Sequence, residues 1–171
     1  VAANKIDRAA AMDEQDYYYR QMVEIYLLRL EKLLAAAGAT PTDADLDAAS
    51  RLANRLVSAS ESALAINSQA AINWATRGVA LSRLATLGID GAAEQARSAY
   101  DRAVLLEPAN PEWPYRAALG LSGLGDKAVV AGYLDRAITI SPNHAPAHLL
   151  GVRLLEESGN WPLAEGEWRV L

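Results

Sequence analysis

Apolar residues recur along this chain every three or four positions, the period of a helix face, and no stretch alternates as a strand would. From Tyr17 to Ala37 the apolar positions Tyr19, Met22, Val23, Tyr26, Leu27, Leu30 and Leu34 predict one long helix, ended by Gly38. Thr40, Pro41 and Thr42 make a loop, and Asp43, Asp45 and Asp47 suit the positive start of the next helix. That helix carries Leu46, Leu52, Leu56, Ala63 and Leu64 on one face. Both exceed the segments that follow by about two turns at 3.6 residues per turn, so the first hairpin is expected to protrude.

The later segments are shorter and repeat. Pro108 and Pro142 stand 34 residues apart, as do Gly125 and Gly159, Leu121 and Leu155, Val130 and Ala164, Leu134 and Trp168. The end of each unit is the most regular part: DRAVLLEP at Asp101 to Pro108, DRAITISP at Asp135 to Pro142, and ALAINS at Ala63 to Ser68. A further copy, DRAAAMDE, runs from Asp7 to Glu14 with acids in place of proline, and predicts a helix end at residue 14. The alanine before each turn (Ala9, Ala63, Ala103, Ala137) lets two helices approach closely. The proline stops the helix, having no N–H and clashing with the preceding turn.

The first half of each unit is Trp74, Gly78 and Leu81, then Trp113, Ala118 and Leu121, then Gly151, Val152 and Leu155. The second half is Ala96, Tyr100 and Ala103, then Val130, Leu134 and Ala137, then Ala164, Trp168 and Leu171. This pattern resembles the tetratricopeptide repeat from Ile6 to Leu171. The resemblance implies an all-α fold, a right-handed α-solenoid of about four antiparallel helix pairs with the first pair elongated. As one domain over 1–171 it divides into the end of a preceding helix (1–14), a long hairpin (15–69), a repeat (70–109), a second repeat (110–143) and a truncated one (144–171). The 70–109 repeat is six residues longer than the next, the extra residues lying around Leu87 to Gly91.

Composition narrows the function. The net charge is −5 and the 16 basic residues are scattered, which argues against a nucleic-acid partner, including helical-repeat RNA binding. There is no cysteine for a disulfide or thiolate metal site, and compartment stays open. No apolar run approaches the roughly 20 residues of a membrane span. The sequence starts at Val1 and stops in an expected second helix, the look of a fragment. Neither a GxSxG, an HExxH nor a phosphate-binding glycine loop is present, so no enzyme is expected and no cofactor. His144 and His148 have a two-ligand spacing, but His144 matches the cap residue Asn110 and no third ligand is near, so no metal site is expected.

Candidate recognition residues follow from the resemblance. It places Tyr115, with Glu112 and Leu119, on the first-helix face that lines the inner groove of such solenoids. Ala75 and Val79 are the equivalents one unit earlier, Leu149 and Arg153 one unit later, with Arg83, Arg116 and Glu156 at the rim. The lysine and asparagine clamp of chaperone-tail-binding members is absent at these positions. In the run Tyr17, Tyr18, Tyr19, Arg20 at least one ring is expected in the core and at least one outward, the run mainly packing against the neighbouring hairpin, with an anchor for a peptide or sugar as the alternative. The expected function is a non-catalytic scaffold for a protein or peptide in the concave groove. The alternative is a soluble accessory domain of a membrane-embedded glycan polymerase or ligase, since the layout ending in NPEWPYR resembles the repeat tails of bacterial O-antigen-ligase-type proteins. A homodimer through the ends of the stack is also expected, because Leu163, Trp168 and Leu171 at one end and the leucine- and tyrosine-rich hairpin at the other lack a polar cap.

Overall fold

Every regular element in the computed structural model is helical, and no strand occurs among the described residues. The structure describes the backbone of residues 2–168 and the side chains of residues 15–160 and 162–165. The elements are α1 (Ala2–Ala37), α2 (Asp43–Ile66), α3 (Ala71–Thr86), α4 (Ala92–Leu106), α5 (Glu112–Leu121), α6 (Lys127–Ile140), α7 (Ala145–Glu157) and α8 (Trp161–Trp168). A short 3-10 turn, Ser122–Leu124, follows α5. Consecutive helices pair as α1/α2, α3/α4, α5/α6 and α7/α8. The first helices of the pairs touch in succession, and the second helix of each pair touches the first of the next. That contact order is an α-solenoid: each hairpin closes the apolar face of its neighbour.

Local chemistry sets the helix ends. Thr42 starts α2 with a reciprocal capping box, its hydroxyl accepting from Asp45 N–H while the Asp45 carboxylate accepts from Thr42 N–H. Asp126 accepts from Val129 N–H at the start of α6, and His144 Nδ1 accepts from Ala147 N–H at the start of α7. Gly38 closes α1 at φ 65°, a left-handed conformation that a side chain resists. The six extra residues of the second hairpin go into a longer α3 and a turn holding Gly88 and Gly91.

One boundary differs from the sequence expectation. The break at residue 14 is absent, and α1 runs unbroken for 36 residues, about 54 Å at 1.5 Å per residue. Asp13 and Glu14 keep their N–H groups and accept helical angles, so neither does what Pro108 and Pro142 do. The side chain of Ala9 lies outside the described residues.

The repeat alanines explain the close pairing. Ala63, Ala103 and Ala137 are fully buried, and the carbonyl of each takes the N–H four residues on as its helix ends. Leu30, Leu56, Ala80 and Leu84 join the first hairpin to the second. Tyr100, Leu81, Ala117 and Leu121 belong to the cluster that joins the second to the third. A polar lock lies beside the first of these junctions. Asp16 and Asn73 are 1% and 0% exposed. Arg20 donates to Asp16 Oδ1 at 2.6 Å and to Asn73 Oδ1 at 2.7 Å, and Asn73 Nδ2 donates to Asp16 Oδ2 at 2.8 Å. Asn73 Nδ2 also lies within hydrogen-bond reach of the carbonyls of Ala63 and Asn67 where α2 ends.

Candidate functional site

The stack sets α3, α5 and α7 side by side, so residues in one register form a row across three hairpins. Val79 and Leu119 stand one 40-residue repeat apart, and Leu119 and Arg153 one 34-residue repeat apart. Val79, Leu119 and Arg153 therefore occupy one register, and all three are exposed, the two apolar ones at 37% and 44%. Each helix turns its other side inward, through Leu81 and Leu84 on α3, Ala117 and Leu121 on α5, and Leu150 on α7. An exposed valine or leucine alone is ordinary; a row of them on adjacent helices is a surface that a partner can cover.

Charges border this row, and each arginine already has a partner. Arg116 Nε donates to Glu112 Oε1 at 2.7 Å, and its guanidinium stands 5.5 Å from the Trp113 ring centre. Glu112 Oε2 lies 3.8 Å from His144 Nε2. Arg153 pairs with Glu157 at 3.2 Å along α7, and Arg83 with Glu31 at 3.5 Å across to α1. Pairs this exposed hold weakly, typically below about 1 kcal/mol, so an incoming carboxylate can exchange for the resident one. Glu156 is half-buried, on the same face of α7 as Leu149 and Arg153 by helical spacing.

The register of Ala75, Tyr115 and Leu149 behaves differently. Ala75 is fully buried, in the cluster that holds Trp113, and so lines no groove. Tyr115 is half-buried against the core, its ring 5.3 Å from that of His144. Leu149 is exposed, and no further hairpin follows it among the described residues. This register points toward the next hairpin, which is why exposure grows along the stack.

Other features singled out in the sequence also have places. His148 Nε2 donates to Pro142 O at 2.8 Å, and His144 spends Nδ1 on its helix cap. Trp113 Nε1 donates to Glu107, Trp74 Nε1 to Ser68 O, and Tyr133 Oη to Asp101 at 2.6 Å. Tyr17 and Tyr18 are exposed, giving the outward rings expected, whereas the ring expected in the core, Tyr19, is only half-buried. Leu163 is exposed, whereas the side chains of Trp168 and Leu171 lie outside the described residues. The sequence reading missed the Asp16–Arg20–Asn73 lock. Its trace was there: an i,i+4 acid–arginine pair, and an asparagine in the register of Trp113 (73 plus 40).

No family model matches the sequence, and no curated protein is similar to it. Solved structures are. A crystal structure of MamA superposes with a TM-score of 0.56 at 16% identity, over 98% of this chain and 84% of that one. A second MamA structure gives 0.55 at 17%, over 97% and 90%. The tetratricopeptide-repeat domain of Arabidopsis OM64 gives 0.50 at 19%, over 81% and 98%. The chain has the tetratricopeptide-repeat fold. In that fold α1, α3, α5 and α7 are the first helices of successive repeats, and α2, α4, α6 and α8 the second. The row of Val79, Leu119 and Arg153 is thus a row on first helices of a tetratricopeptide-repeat stack.

Proposed function

We propose that this chain is a non-catalytic scaffold that binds a protein or peptide segment across the first helices α3, α5 and α7. The observation that carries the reading is the shared register of Val79, Leu119 and Arg153, exposed on three adjacent helices. The apolar pair supplies burial energy, about 25 cal/mol per Å² covered. Arg153, Arg116 and Arg83, each in an exchangeable surface pair, supply orientation. Tyr115 and Glu112 act as the floor of the surface, held by His144 and Arg116.

The test is selection of peptides from a displayed random library on the wild-type chain, followed by affinity measurement on variants. Leu119→Asp and Arg153→Glu are each expected to weaken the selected peptides about tenfold or more, a loss of about 1.4 kcal/mol. Arg136→Glu, exposed on α6, is expected to leave them unchanged. Peptides that bind all three variants as they bind wild type would remove this surface from consideration.

A further inference from the structure

We infer that the outward side of α1 is a parallel helix–helix interface between two copies of this chain. The inference is independent of the surface on α3, α5 and α7 and uses none of its residues. Between Tyr17 and Ala35, α1 is apolar on two sides. One side, with Val23 and Leu30, is buried in the first hairpin and against α3. The other carries Tyr17, Tyr18, Ile25 and Leu28, which are 55, 62, 48 and 52% exposed. Gln21 and Lys32 share this side with them, so it is a mixed face whose exposed apolar residues a second helix can cover. The two tyrosines alone leave roughly 200 Å² bare, at about 200 Å² for each whole ring side chain.

Sequence spacing identifies what covers it. Tyr18, Gln21, Ile25, Leu28, Lys32 and Ala35 follow one another at alternating steps of three and four, the seam of a coiled coil. With Tyr18, Ile25 and Lys32 at a and Gln21, Leu28 and Ala35 at d, the central heptad, Ile25 with Leu28, has a β-branched residue at a and leucine at d. That choice favours two parallel strands, and a lone lysine at a favours a defined register. The flanks choose the direction. Glu24 falls at g and Arg29 at e, five residues on. In a parallel pair each Glu24 meets the Arg29 of the other copy, twice by symmetry, and Tyr17 meets Met22. In an antiparallel pair g meets g, and Glu24 would meet Glu31. Within the chain neither Glu24 nor Arg29 forms an ion pair with a described residue, so both are free for the second copy. Pairing α1 with α1 about a two-fold axis closes the surface and leaves no open-ended stack.

Sedimentation equilibrium of the 171-residue chain tests this. A monomer–dimer equilibrium is expected over micromolar to millimolar concentration. Ile25→Glu with Leu28→Glu is expected to abolish it without lowering the melting temperature, since both side chains are exposed. Glu24→Arg and Arg29→Glu are each expected to weaken the dimer about tenfold, with the double reversal restoring it. Because the chain has no cysteine, Gln21→Cys gives a clean test of direction: oxidation should link copies at that position in a parallel pair. A chain that stays monomeric overturns the inference. So does a dimer that survives the Ile25/Leu28 double change, or one in which Gln21→Cys does not cross-link.

Discussion

Gly78, Gly120, Gly132 and Gly151 all lie within helices yet differ in consequence, because one tyrosine decides between them. A Cβ added at Gly78 would come within 2.6 Å of Tyr100 Cε1, and one at Gly120 would collide with the Tyr100 hydroxyl. At Gly132 and Gly151 an added Cβ meets nothing within 4 Å. Gly151 borders an apolar cleft of about 340 Å³ between α6 and α7, lined by Val130, Leu134, Ile138 and Leu154. Alanine in a helix is worth about 0.5–1 kcal/mol over glycine where the space is free. Gly132→Ala and Gly151→Ala are therefore expected to raise stability by about that much in urea titration. Gly78→Ala and Gly120→Ala are expected to lower it by about 1–3 kcal/mol through overpacking. Tyr100→Leu should make the Gly78 substitution tolerable, a coupling that a double-mutant cycle reads directly. The family-like motif position of Gly78 was legible from spacing; the ring that demands it was not, since Tyr100 lies 22 residues on and in another helix.

At the level of elements, the hairpins were legible where one residue enforces an end. Pro108, Pro142 and Gly38 stop helices by stereochemistry, so their positions translate directly into α4, α6 and α1 ends. The break sought at residue 14 rested on homology of position without such a residue, and α1 passes through it. The groove was legible only in part. Spacing identified Leu119 and Arg153 in one register, but which registers face out depends on the rotation between hairpins, and that rotation buries Ala75. The packing of α3, α4 and α5 around Tyr100 also has a pH signature. Burial pushes the Tyr100 hydroxyl from 10.0 up to about 12, and burial with the Asp101 carboxylate pushes that of Tyr133 up as well. The fold thus favours the protonated phenols. Their contribution is whole below about pH 10, the unfolded value, and is lost progressively as pH rises from there through the folded values, about 12 for Tyr100. Thermal unfolding followed across alkaline pH is expected to show this loss. Tyr100→Phe should flatten it between about pH 10 and 12. It should cost little at neutral pH, because the hydroxyl's contact with Ser82 is a long 3.4 Å and Ser82 keeps its bond to Gly78 O.

Across the described residues, stability passes from hairpin to hairpin, because the main contacts between hairpins join neighbours. The joint between the first hairpin and the rest adds the buried Asp16–Arg20–Asn73 lock to an apolar contact. Asn73 is the piece that spans it, bonding to α1 on one side and to the carbonyls ending α2 on the other. Asn73→Ala leaves the Asp16 carboxylate without one donor, Arg20 without one acceptor and the Asn67 carbonyl without its Asn73 donor, while Ala63 O keeps the Asn67 N–H. A buried polar group left unsatisfied costs about 1–3 kcal/mol. Because the damage sits at one joint of a linear array, its effect should be local. Amide hydrogen exchange is expected to show α1 and α2 losing protection about tenfold or more, each factor of ten being about 1.4 kcal/mol, while α5 and α6 keep theirs. Urea unfolding should broaden as the first hairpin detaches ahead of the remainder. An equal loss of protection in all four hairpins would mean that the chain opens as one cooperative unit and that the lock does not couple one hairpin to the next.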